Sequence, residues 1–213
     1  MGGVRLTPVT WERLTDAVAD RVLELKPQDG GERPRVAVDG APATRPHALG
    51  EALTEALRLR GRPVVRVRAD TYWRPASQRY ELGRHDPDAF YERWLDTGAL
   101  WREAFGPLAP GGTGRVLPSL WDPVTDRATR ASYEELPPGG VLLLEGALLQ
   151  GYGFPFDLCV HLRMSGAALA RRTPEDERWT LPAYARYEQE AAPAATADVV
   201  VHTDDPRHPA WTG

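Results

Sequence analysis

Residues 35–60 form one continuous pattern, and it commits the chain to a layered fold of strands and helices. A short apolar run (Val36, Ala37, Val38) leads into Asp39-Gly40, then a turn of small residues, then a helix-like stretch from His47 to Arg60. That stretch carries Leu49, Leu53, Ala56 and Leu57 at three- and four-residue spacing, so one face is apolar. Strand, loop and helix in this order are the setting in which a GxxxxGK[S/T] loop cradles nucleotide phosphates. Gly40 stands where the first glycine belongs, but the last three positions hold Arg45, Pro46 and His47. The chain has a single lysine, Lys26, upstream of the strand, and 25 of its 26 basic residues are arginine. A compositional bias accounts for arginine on the surface; it does not by itself account for the missing loop lysine.

The rest of the chain extends the same alternation. An amphipathic helix is expected over 11–25, with Trp11, Leu14, Val18, Val22 and Leu25 on one face, Thr10 as its N-cap and Pro27 beyond its last turn. Residues 26–34 are a turn-rich link. Further strands are expected at 64–69, 141–145, 158–163 and 198–202, and a helical stretch at about 87–105. The run VLLLE at 141–145 is continuously apolar up to its closing Glu145, which predicts a strand buried on both faces. Residues 106–140 are rich in Gly and Pro and match neither period. Strands alternating with helices imply an α/β domain with a parallel central sheet, whose ligands bind beyond the carboxyl ends of the strands. Three such ends carry chemistry: Asp39-Gly40, Asp70 and Glu145-Gly146.

Composition removes several function classes. A length of 213 residues suffices for one sizeable domain spanning 1–213, with 1–33 as N-terminal helix and linker. A formal net charge of −4 argues against a nucleic-acid partner. No apolar run reaches membrane-spanning length and the N-terminus lacks a signal-peptide layout, so no membrane partner and a soluble, cytoplasmic protein are expected. The one cysteine, Cys159, excludes an internal disulfide and a cysteine metal cluster. Self-association into a homo-oligomer stays open.

Six segments occur in a fixed order: VAVDG, RADTYW, HDPDAFY, WDPVTDR, VLLLEGALL and RYEQEAAPAATADVVV. As an ordered set, over residues 33–209, they resemble the uridine kinase family of P-loop nucleoside kinases. The resemblance implies a three-layer fold with a five-stranded parallel sheet flanked by helices and a lid segment at about 171–196. It implies ATP or GTP with Mg2+ as cofactors, and a nucleotide and a nucleoside as partners. It makes Asp70, in the tetrapeptide Asp70-Thr71-Tyr72-Trp73, the general base for a sugar 5′-hydroxyl, a role a carboxylate suits because phosphoryl transfer is mostly positioning. Tyr72, Asp86 and Trp121 become substrate-binding residues, Glu145 a Mg2+ ligand, and Arg171, Arg172 and Arg178 lid arginines that neutralise charge over the nucleotide. Gly40, Ala41, Ala43, Thr44, Arg45 and His47 become the nucleotide loop. Each has a plainer alternative: Asp70 a cap or surface turn, Asp86 an N-cap ahead of Pro87, Trp121 a core residue, the arginines a solvated face.

The departures matter too. The family's sugar-binding aspartate aligns on His85, one residue before Asp86, and Asp126 stands where the family has a base-holding histidine. In the loop, Arg45 adds a side chain where backbone must approach phosphate, Pro46 removes both the lysine and an N–H, and His47 is a poor ligand for a hard cation. Arg45 and the following helix N-terminus offer a partial substitute for the phosphate grip. Two readings result: a nucleoside kinase-like phosphotransferase, or a non-catalytic ligand-binding or regulatory protein on the same fold. A third, a small-molecule enzyme using Asp70 and Glu145 without a nucleoside triphosphate, is weaker.

Overall fold

Alternation along the buried strands sorts their side chains onto two sheet faces, and helices cover both. The structure, a computed structural model, describes residues 6–212; residues 1–5 and 213, the ends of the expected 1–213 domain, lie outside the described residues. In chain order the first elements are β1 (Thr7–Pro8), α1 (Trp11–Glu24), β2 (Arg35–Asp39), α2 (Pro46–Leu59) and β3 (Val64–Arg68). Short helices α3 (Ala76–Arg79), α4 (Pro87–Arg93) and α5 (Thr97–Leu100) follow, then two-residue strands β4 (Arg115–Val116), β5 (Trp121–Asp122), β6 (Arg127–Ala128) and β7 (Glu134–Glu135). The last part holds β8 (Val141–Gly146), β9 (Leu158–Arg163), α6 (Gly166–Arg172), α7 (Leu181–Glu190), α8 (Pro193–Thr196), β10 (Val199–His202) and β11 (Ala210–Thr212).

Among the described residues the main sheet has seven strands in the order β1-β11-β10-β9-β2-β8-β3. Five of them, β10, β9, β2, β8 and β3, run parallel, as expected; β11 and β1 add two short antiparallel strands at one edge. The chain reaches β8 on one side of β2 and β9 on the other, so the topological switch falls at the end of β2. That is where Asp39-Gly40 stands and where open α/β sheets bind ligands.

On one face Val36, Val38, Leu143, Val160 and Val201 pack under α1 and α2, meeting Leu14, Val18, Leu53 and Leu57. On the other, Ala37, Val67, Leu142, Leu144 and Cys159 meet Tyr72, Leu100, Phe105 and Leu108. A third cluster, of Phe90, Trp94, Met164, Leu169, Tyr184 and Tyr187, joins α4, α6 and α7 beyond the sheet. Thr10 caps α1 through Oγ1, which accepts from Arg13 N at 3.3 Å. The expected single helix over 87–105 is broken. α4 ends at Arg93, α5 starts only at Thr97 with Asp96 capping Ala99 N, and residues 101–105 wind as a π-turn. No helix among the described residues is long and apolar enough to cross a membrane.

Candidate functional site

The parallel register brings the strand ends together. Asp39 lies opposite Gly146 of β8 and His161 of β9, and Glu145 lies opposite Val38 and Arg68. Beyond these ends opens a cavity of about 390 Å3. Its floor includes Gly40, His47, Asp70 and Gly146, and its walls are aromatic: Trp73, Tyr80, Phe90, Trp94, Trp179 and Tyr184. Asp70 is about one-fifth exposed there. Arg68 Nε donates to its Oδ1 at 3.1 Å, and Nη2 donates to Oδ2. Arg79, also in the wall, is buried and sandwiched by Trp73, Tyr80 and Trp94 at 4.9–5.6 Å. Its Nε donates to the Arg74 carbonyl at 2.7 Å and Nη2 lies 3.6 Å from Asp126.

The loop itself is closed on its own backbone. Residues 42–44 form a short 3-10 turn. The N–H of Gly40 donates to Gly146 O at 2.9 Å, that of Thr44 to Ala41 O at 2.8 Å, and that of Arg45 to Pro42 O at 2.9 Å. Pro42 and Pro46 have no N–H. Five of the eight residues 40–47 therefore have no amide to offer an anion. Gly40 is required by packing, since a Cβ there would meet Thr44 Oγ1 at 2.4 Å and Leu162 Cβ at 2.9 Å. Arg45 is left-handed, φ 63° and ψ 51°, a conformation that suits glycine. It lines a groove with Trp11, Ala48 and Pro206 on the α1 side, not the large cavity. Arg45→Gly should raise stability by about 0.5–1 kcal/mol, read by urea unfolding; an unchanged midpoint would show that the arginine side chain offsets the strain.

Behind the loop Glu145 is fully buried. Its Oε1 accepts from Arg66 Nε at 2.9 Å and Nη2 at 2.7 Å and lies 3.0 Å from His47 Nδ1. Its Oε2 has no hydrogen-bond partner among the described residues and presses on α2 at Gly50, where a Cβ would stand 1.5 Å away. Asp39, equally buried, is saturated. Oδ2 pairs with His161 Nδ1 at 2.7 Å and accepts from Tyr187 Oη at 2.7 Å and Gln150 Nε2 at 3.3 Å; Oδ1 accepts from Leu149 N at 3.1 Å. His161 Nε2 lies 3.4 Å from Glu188 Oε1 without hydrogen-bond alignment. Burial alone would lower the His161 pKa, but the hydrogen bond to Asp39 and the negative charges of Asp39 and Glu188 outweigh it and raise it to about 9. Neither His161 nor Tyr187 signals this role in the sequence, because the partners are over a hundred residues apart.

Of the residues the sequence singled out, the cavity gathers Gly40, His47 and Asp70. Ala41 and Thr44 face a smaller cavity, of about 230 Å3, under α7, beside His161. Ala43 and Arg172 line a cleft near Thr173, where Arg172 Nη2 donates to Asp204 O at 3.0 Å. Tyr72 is a core residue: it is fully buried, and its hydroxyl donates to Leu117 O. Asp86 caps α4, accepting from Ala89 N at 2.7 Å. Trp121 sits in the β5–β6 hairpin with its Nε1 donating to Asp126 at 2.9 Å. Arg178 is an exposed residue of the 3-10 turn 175–180, and Arg171 is exposed on α6. Tyr72, Asp86, Trp121 and the three arginines thus lie outside the cavity lining.

The donor set does not fit a Mg2+-bound triphosphate. Three of the six loop amides are internally paired, positions 42 and 46 are prolines, and the Glu145 carboxylate is held by Arg66 and His47. No group of three or more His, Cys, Asp or Glu residues among those described is arranged to hold a metal.

A five-stranded parallel core, a loop at its switch point and a helical cover beyond the strand ends define a uridine kinase-like P-loop kinase fold. The chain is similar in structure to a candidate uridine kinase from Bacillus stearothermophilus, at TM-score 0.71 and 21% identity, over 87% of this chain and 96% of that one. It is similar to a candidate fructose transport system kinase from Silicibacter sp. TM1040, at TM-score 0.59 and 25% identity, over 87% and 91%. D-glycerate 3-kinase from Cryptococcus neoformans var. grubii aligns at TM-score 0.62 and 13% identity, over 91% and 95%. No protein-family model matches the chain, and no curated protein matches it in sequence.

Proposed function

We propose that this protein binds a small molecule in the aromatic cavity beyond the strand ends and does not grip a nucleoside triphosphate. The observation that carries this reading is the loop. Three of its N–H groups are spent on loop and strand carbonyls, two positions are prolines, and its lysine is absent. A phosphate cradle needs those amides pointing outward. The acceptor side supports a ligand: a cavity with aromatic walls and a few polar groups is the usual form of a small-molecule site. The structural neighbours are named for uridine, fructose and glycerate, and their common chemistry suggests a small hydroxyl-bearing ligand.

A second reading, phosphoryl transfer with Asp70 as base, is favoured by that carboxylate's place on the cavity floor. One experiment divides the two. Trp73, Trp94 and Trp179 report on the cavity by fluorescence. Uridine or fructose should perturb their emission, and Mg2+-ATP at about 1 mM, the upper end of ordinary KM values, should not. Saturable Mg2+-ATP binding together with transfer of phosphate to either compound would replace the first reading with the second.

A further inference from the structure

His47 stands where a phosphate loop has its hydroxyl residue, and a support has been built around it. It lines the large cavity with its side chain 39% exposed. Behind it, Glu145 Oε1 lies 3.0 Å from Nδ1. Arg66 holds that same oxygen through two N–H groups, and its Nη2 also donates to the His47 carbonyl at 3.1 Å. Gly50 fixes the other side: only a residue without Cβ leaves room for Oε2. The carboxylate therefore cannot turn, and the arginine that neutralises it also anchors the backbone of the histidine it faces. A carboxylate only accepts and a guanidinium only donates, so the proton between Glu145 and His47 belongs to Nδ1. In the neutral ring, Nε2 then carries the lone pair.

We propose that His47 is the cavity's ligand-recognition residue, its Nε2 accepting a hydrogen bond from a hydroxyl of the ligand, with Glu145 and Arg66 as positioning residues. This rests on the reading of the cavity as the ligand site. Asp70 supplies a second acceptor on the same floor. The lining also holds Glu177, and the one arginine in it among the described residues, Arg79, is spent on the Arg74 carbonyl and Asp126. Acceptors without a free cation select a neutral hydroxyl compound and disfavour an anion. The loop substitutions thus exchange a phosphate grip for a hydroxyl grip.

The test is histidine side-chain 15N NMR at pH 7.5 on the full chain, with His47 assigned by its loss in His47→Asn. The expected wild-type state is the Nδ1–H tautomer, shifting toward Nε2–H in Glu145→Ala, which removes the acceptor that holds the Nδ1 proton. Asparagine keeps an N–H for Glu145 but has nothing at the Nε2 position, so His47→Asn folds and binds uridine or fructose about tenfold more weakly. D-glycerate, the anionic probe, binds more weakly than either to the wild type. An Nε2–H tautomer in the wild type, or uridine and fructose affinity unchanged in His47→Asn, overturns the assignment. If the Nδ1–H tautomer is present and neither uridine nor fructose binds, the proposed function fails while the geometry of the dyad stands.

Discussion

Asp39→Ala is expected to cost about 3–5 kcal/mol of folding stability, the penalty for breaking a buried ion pair by removing one partner. The carboxylate satisfies His161, the Tyr187 hydroxyl, Gln150 and the Leu149 amide, and all of it is inside the protein. Alanine leaves a 3%-exposed imidazolium whose remaining acidic partner among the described residues is Glu188. The same network gives the wild type a pH signature. His161 is raised from 6.5 to about 9 in the folded state. A raised histidine stabilises fully below its unfolded pKa, and that contribution disappears as pH rises through the folded one. Stability should therefore fall by about 3 kcal/mol between pH 6.5 and 9. Urea unfolding at pH 6, 7.5 and 9 reads this directly. His161→Asn should flatten the slope across that window, and a wild type with no slope would mean that the pair does not hold its proton.

That network marks the boundary of what the sequence discloses. The strands 35–39 and 158–163 are legible because their apolar runs are bounded by turns, and VLLLE because four consecutive apolar residues without alternation mark a strand buried on both faces. The helices 11–24 and 46–59 declare themselves by spacing, caps and a first-turn proline. Asp39 reads only as the end of a strand, since its partner His161 comes from β9 and Tyr187 from α7, and their meeting is set by strand order, which local pattern does not encode. The edge strands Thr7–Pro8 and Ala210–Thr212 are too short for a period-two signal. Residues 106–140 draw their order from turns and from two-residue ladders, of which β5–β6 is too short for a period-two signal and β4–β7 joins segments far apart in sequence. At the loop, sequence identifies what is missing. That three of its amides are paired internally follows only from the folded loop, and that Arg66 reaches across from β3 to Glu145 only from the register.

Gly50→Ala sets two known effects against each other. Alanine in a helix interior is favoured over glycine by about 1 kcal/mol, and Gly50 is the fifth residue of α2, so propensity alone predicts a gain. The Cβ, however, would lie 1.5 Å from Glu145 Oε2, and the carboxylate has nowhere to go: Arg66 and His47 hold its other oxygen and the residue is fully buried. Either α2 shifts off the sheet or the Arg66–Glu145–His47 set comes apart, at a cost of several kcal/mol for a buried charge that loses its partners. The expected net effect is a loss of about 3 kcal/mol. The attribution is decided by a double-mutant cycle in urea. In a Glu145→Ala background the obstacle is gone, so adding Gly50→Ala should become neutral or stabilising by up to about 1 kcal/mol. The sign of the same substitution then depends on whether the carboxylate is present. A Gly50→Ala protein more stable than the wild type would mean that Glu145 has another rotamer to occupy, and with it His47 would lose the fixed support on which its proposed role depends.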